Sequence, residues 1–127
     1  MIDDMGILRT PIEFAPLDRP DRRQELGNVM VDTGSEYTWA PEDFLAELGV
    51  VPVRVDRFET ATGEILERPV GFALIYVAGR VAAGVVAFAK PGDMNLLGAQ
   101  SLEGLNLRVD LTRRELVPGG PLPAAAA

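Results

Sequence analysis

The chain has 127 residues, 47% hydrophobic and 24% charged, which suffices for one domain with its own core and is too apolar for a disordered segment. Nineteen acidic against twelve basic residues leave a formal charge of −7, which repels phosphate backbones and anionic lipid, so neither nucleic acid nor a membrane is an expected partner. With no His and no Cys, thiol nucleophiles, Ser-His triads and ordinary zinc sites are excluded, no metal or cofactor is expected, and carboxylates are the catalytic groups that remain.

The opening M-I-D-D-M-G-I-L lacks the basic start and apolar stretch of a signal peptide. Together with the absence of Cys, this makes a cytoplasmic location the expectation. Gly6 to Ala15 alternates roughly in polarity and predicts a strand interrupted at Pro11, at a sheet edge. Pro16 to Arg23 is a polar, solvated connection in which Asp21 interrupts the arginines. Glu25 to Val31 returns as the partner strand and delivers D-T-G at its end.

Ala40 to Gly49 carries Pro and acids in a first helical turn and Gly at the stop, which predicts a short helix burying Phe44, Leu45 and Leu48. Val53 to Phe58 and Glu64 to Pro69 predict a hairpin around the small residues Ala61, Thr62 and Gly63. Val70 to Ala89 is mostly apolar and long enough to span a bilayer. Arg80 lies near its midpoint, however, where insertion costs roughly 2.5–3.5 kcal/mol. Gly79-Arg80 divides the run into two β-branched and aromatic stretches, so a buried β-hairpin is predicted.

Lys90 to Asp93 then reads as a turn, Leu96-Leu97 as a short buried strand stopping at Gly98, and Ala99 to Leu105 as a short helix. Leu107 to Val117 predicts a last hairpin turning at Thr112 to Arg114. These readings assign 1–117 to one domain and leave 118–127 as a Pro-, Gly- and Ala-rich tail, expected to be disordered. Short strands, two short helices and Gly or Pro between them argue an all-β, barrel-like domain.

The stretch V-M-V-D-T-G-S-E-Y-T-W-A-P, Val29 to Pro41, holds the main chemical signal. An apolar run entering D-T-G is a turn after a strand, because Asp caps its own backbone and Gly tolerates positive φ. It is also how an aspartic protease presents its acid. D-T-G alone is a weak signal, and the order of parts around it adds the weight. Strand, Met30-Val31-Asp32-Thr33-Gly34, short helix, hairpin with the tip Thr60-Ala61-Thr62-Gly63, apolar hairpin, Leu96-Leu97-Gly98 and helix follow one another. This order resembles the retropepsin-like aspartic proteases, single-lobed relatives of the retroviral proteases and of pepsin. The resemblance covers roughly Gly6 to Val117, and Asp32 to Pro41 is also similar to the segment after the first catalytic Asp of pepsin-type lobes.

The resemblance implies a small closed barrel of the retropepsin-like acid protease type with one or two short helices. It also implies an aspartic endopeptidase acting on a peptide or protein substrate between apolar side chains. Only one D-T-G is present and the chemistry needs two carboxylates sharing a proton, so it implies a homodimer with Asp32 and its two-fold mate as the catalytic pair. Gly34 would admit the backbone close to the carboxylate and donate an amide hydrogen bond, Thr33 would bond across the dimer axis, and Ser35 would donate to the outer oxygen of Asp32. Thr60, Ala61, Thr62 and Gly63 would form a flap over the substrate, and Leu97 and Gly98 a strand passing beneath the catalytic loop, where Gly98 makes room.

Plainer readings stand beside these. Trp39 is read as core packing in preference to a place in the substrate pocket, Glu36 and Glu42 as solvated acids, and Asp110 as a strand or turn residue, since it lacks a following Thr-Gly. The alternative function is a non-catalytic dimeric β-domain that binds peptide or protein.

Overall fold

The computed structural model describes residues 6–126, so the signal-free reading of Met1 to Met5 and the final Ala127 lie outside the described residues. The fold is mostly β. The strands are β1 (Arg9–Ala15), β2 (Gln24–Val31), β3 (Thr38–Pro41), β4 (Arg54–Glu59), β5 (Ile65–Val77), β6 (Arg80–Ala89), β7 (Leu96–Leu97), β8 (Leu107–Asp110) and β9 (Glu115–Pro118). The helices are α1 (Glu42–Leu48) and α2 (Ala99–Leu105). Seven strands form one sheet in the order β1-β2-β7-β3-β6-β5-β4. β1 pairs a second time, with β5 through Glu13–Tyr76, Phe14–Ile75 and Ala15–Leu74, so the sheet folds back on itself. β8 and β9 form a separate hairpin.

The sheet encloses the core. Ile12, Phe14, Leu45, Ile75, Val86 and Leu97 are almost completely buried, and α1 and α2 add Leu48, Leu102 and Leu105. Each such side chain contributes about 1.5–3 kcal/mol of burial. Exposed ion pairs such as Arg19–Asp21 or Arg113–Glu115 are screened by solvent and add little, so the core carries the fold.

Several sequence expectations change in detail. β1 runs unbroken through Pro11, because over this half it has only β2 as a neighbour and the proline needs no donor on its open side. It is therefore an edge only up to Ile12. A register shift between Ile12 and Glu13 precedes the pairing with β5. The two strands expected on either side of Pro69 are one, β5, since its ladder to β6 begins only at Val70, after the proline. The Val70 to Ala89 hairpin forms with Ala78 and Gly79 at its turn, both at positive φ. No helix among the described residues is long and apolar enough to cross a membrane.

β3 was not expected at all. It pairs parallel with β6 from Thr38–Val86 to Pro41–Ala89 and antiparallel with β7 at Trp39–Leu96. The signal was available in Y-T-W-A, where Thr38 and Ala40 face inward and Tyr37 and Trp39 do not. At the C-terminus β9 extends through Pro118, and the Gly119 amide donates to the Asn106 carbonyl at 2.8 Å, so the tail without regular structure starts later than expected.

Thr38 and Ser101 are the buried polar side chains of this core, and they satisfy each other with hydroxyl oxygens 2.6 Å apart. Thr38 Oγ1 also accepts the Gly98 amide at 3.0 Å, tying β3, β7 and α2 together. Thr38→Val leaves a buried amide and a buried hydroxyl without this partner. The expected loss is about 1–3 kcal/mol of unfolding free energy, read from the urea midpoint at unchanged m.

Candidate active site

β2 ends at Val31, and the chain turns at Asp32 because three backbone contacts hold it there. The Val31 amide donates to Leu8 O at 2.8 Å, the Asp32 amide to Leu97 O at 2.9 Å, and the Ser35 amide to Asp32 O at 3.2 Å. β7 runs parallel to β2, pairing Met30 with Leu96 and Val31 with Leu97. It thus lies between β2 and β3, directly against the loop that carries Asp32.

Just past β7, the chain passes this loop at Gly98. A Cβ there would lie 2.3 Å from Tyr37 O and 2.9 Å from Ser35 O, closer than any side chain can approach. Without one, the start of α2 bonds the loop directly: the Ala99 amide donates to Ser35 O at 2.7 Å and the Gln100 amide to Glu36 O at 3.0 Å. Leu97 and Gly98 thus pass directly against the loop that carries Asp32, and the missing Cβ of Gly98 leaves room for the loop's backbone.

Asp32 is half-buried as a residue, and its Oδ1 accepts the Gly34 amide at 2.9 Å. A Cβ on Gly34 would stand 3.2 Å from that oxygen, so glycine permits the close approach, as expected. Ser35 differs from expectation: its hydroxyl donates to the Tyr37 carbonyl at 3.0 Å, not to Asp32, because the carbonyl lies two residues on in the same turn. Thr33 is exposed at the apex of the turn.

Asp32 opens into a cleft of about 610 Å³. One part of its lining comes from the loop and β3, with Gly34, Ser35, Glu36, Tyr37 and Trp39. The hairpin of β4 and β5 supplies Asp56, Arg57, Phe58, Glu59, Thr60 and Leu66. Asp93, Met94 and Leu96 complete it from the connection into β7. Of the four expected flap residues only Thr60 lines this space, while Ala61, Thr62 and Gly63 sit at the exposed tip. That tip is held by the Thr60 amide on Glu64 O at 2.8 Å and the Glu64 amide on Thr60 Oγ1 at 3.1 Å.

Sequence reasoning placed Trp39 in the core, whereas it is half-buried and lines the cleft. Its ring meets Phe58 edge-on with centroids 4.8 Å apart, and Tyr37 meets the same ring at 5.8 Å. The pairing of β3 inside the sheet decides this, since it turns odd residues toward the cleft and even ones inward. Glu36 is exposed, as expected, but lines the cleft. Glu42 is half-buried and not fully solvated. Asp110 ends β8 and closes the next turn by accepting the Thr112 and Arg113 amides, both at 3.0 Å.

Two arginines on the strands of the β4–β5 hairpin, Arg54 on β4 and Arg68 on β5, make charged contacts at the cleft. Arg54 Nε donates to Asp56 Oδ1 at 2.8 Å and its Nη2 to the Tyr37 hydroxyl at 3.2 Å. Arg68 grips Asp93 with two bonds, Nε to Oδ2 at 2.7 Å and Nη2 to Oδ1 at 2.9 Å. Hydrogen bonding from Arg54 and from Arg68 holds the Asp56 and Asp93 carboxyls below the usual carboxylate range. Among the described residues no group of three or more Asp or Glu side chains is placed to hold a metal ion.

No protein-family model matches this chain, and no curated protein is significantly similar to it.

Two measurements test this geometry. Gly98→Ala must push the 35–37 loop off the strand beneath it, and it should cost about 1–3 kcal/mol or more in denaturant unfolding. For Asp93 the folded pKa lies below the unfolded one, so its stabilisation is present above about pH 4 and is lost as pH falls through the folded value. Asp93→Asn should therefore flatten the decline of stability below about pH 4, measured by urea unfolding across that range.

Proposed function

We propose that the protein is an aspartic endopeptidase, active as a homodimer, that hydrolyses peptide bonds between apolar residues of an extended substrate. The observation that carries this reading is the setting of Asp32. Its carboxylate holds the Gly34 amide, its own amide is pinned to Leu97 O, and it borders a cleft partly lined by a β-hairpin. Such a carboxylate is pre-placed by backbone contacts and costs little reorganisation during reaction.

One Asp32 per chain supplies half of the chemistry. In the dimer two Asp32 carboxylates share one proton, because like charges a few ångströms apart cannot both ionise. The ionised member takes a proton from a water whose oxygen attacks the scissile carbonyl carbon, and the protonated member donates to the carbonyl oxygen. The tetrahedral intermediate then collapses as a proton passes to the leaving amine, breaking the C–N bond and leaving a carboxylic acid and an amine. No covalent enzyme intermediate forms.

Substrate features follow from the same cleft. Trp39, Phe58, Leu66, Met94 and Leu96 favour apolar side chains. β4 stands last in the sheet order with β5 as its one sheet neighbour, which leaves an edge for an extended peptide to pair with. Thr33, exposed at the apex of the turn, is available to the second copy. The cyclic order of strand pairings is compatible with a small closed barrel of the retropepsin-like type.

The test compares wild type with Asp32→Asn on a diverse peptide mixture from acidic to neutral pH, reading new termini by mass spectrometry. Cuts should appear with wild type and fall by at least about 10³-fold in the variant, which keeps its fold and its dimer by sedimentation. A wild type that makes no cut at any pH, or that stays monomeric at high micromolar concentration, would overturn the reading in favour of a peptide-binding β-domain.

A further inference from the structure

Five ion pairs join side chains that both lie among the described residues, and they are not alike. In Arg19–Asp21, Arg23–Glu13, Arg54–Asp56 and Arg113–Glu115 at least one side chain is 44% or more exposed. In Arg68–Asp93 the two side chains are 12% and 14% exposed. It also has the two-pronged geometry, with both Asp93 oxygens engaged. Asp93 Oδ2 additionally accepts the Lys90 amide at 2.8 Å, and the Asp93 amide returns to Lys90 O at 2.9 Å. One carboxylate thus closes its own turn and holds a strand 25 residues away in sequence.

The location is as specific as the geometry. Arg68 lies on β5, two residues from Leu66, which lines the cleft from the hairpin. Asp93 precedes Met94, which lines the cleft while 59% exposed, and Leu96, which lines it and opens β7. A largely buried ion pair adds little net stability over an apolar contact of the same volume, but its direction is stringent. At this position direction is what matters, because the 90–95 connection leads straight into the strand whose Leu97 carbonyl holds Asp32.

We propose that Arg68 and Asp93 are positioning residues, a latch that fixes the Met94 wall of the cleft against the β4–β5 hairpin and so sets affinity for the extended peptide. This rests on the endopeptidase reading for its substrate, though not for its geometry. The latch acts through Met94 and Leu96 on substrate binding, so its loss raises KM more than it lowers kcat. A purely structural pair would act otherwise, lowering the melting temperature and the active fraction, hence kcat, at unchanged KM.

The experiment is a double-mutant cycle with Arg68→Gln, Asp93→Asn and the double variant, on a peptide that wild type cleaves. KM should rise by about tenfold in each single variant, the size of losing charge-assisted hydrogen bonds, and no further in the double variant. Arg68→Lys keeps the charge without the fork and should fall between, which covers a neutral variant that does not fold. KM unchanged in the singles, or rising additively in the double, would overturn the latch. If wild type cleaves nothing, the endopeptidase reading falls and hydrogen exchange decides the latch alone. Faster exchange at Met94 to Leu97 in Arg68→Gln or Arg68→Lys than in wild type supports it, and equal exchange overturns it.

Discussion

The crossing at Gly98 is the contact on which the rest of the site depends. Within four residues the chain donates or accepts at Leu97 O, Gly98 N, Ala99 N and Gln100 N, and each partner lies in the Asp32 to Thr38 loop. These bonds form where the backbone at Gly98 approaches the Ser35 to Tyr37 backbone more closely than a Cβ permits. Asp32 is therefore held by main-chain geometry, while its carboxylate remains open to the cleft.

Around this crossing the structure divides its labour. Apolar burial inside the refolded sheet supplies the stability, with Phe14, Ile75 and Leu97 at its centre. Polar contacts supply direction. Thr38 and Ser101 bind β3, β7 and α2 beneath the loop, and Arg54 and Arg68 bind the hairpin to Tyr37 and Asp93. The aromatic group of Tyr37, Trp39 and Phe58 lies where those two systems meet, presenting apolar surface to a cleft bordered by carboxylates.

Much of the architecture was legible in local signals. The Val70 to Ala89 run divided at Gly79 because its two halves are β-branched and a charged residue adjoins the break. The short helices ended where Gly49 and Asn106 take left-handed backbone. β3 was missed since four residues between a turn and a helix give little periodicity, and their strand character comes from β6 and β7 on either side. Pro11 and Pro69 were overweighted as breaks. Both are tolerated where only one neighbouring strand needs their backbone, which is a property of the sheet.

The sequence by itself determined the chemistry on offer: carboxylates without His or Cys, a D-T-G turn after an apolar strand, and small residues where the chain must pass closely. These are statements about residue type and short spacing, and local physics decides them. Tertiary structure alone decided which side chains share the cleft with Asp32. Trp39, Phe58 and the adjacent Asp93 and Met94 come from three separate stretches, and only the register of β3, β4 and β7 in one sheet brings them together. The Arg68–Asp93 pair is of the same kind. Twenty-five residues separate its partners, and the fold of β5 over the 90–95 connection supplies the proximity that no local pattern encodes.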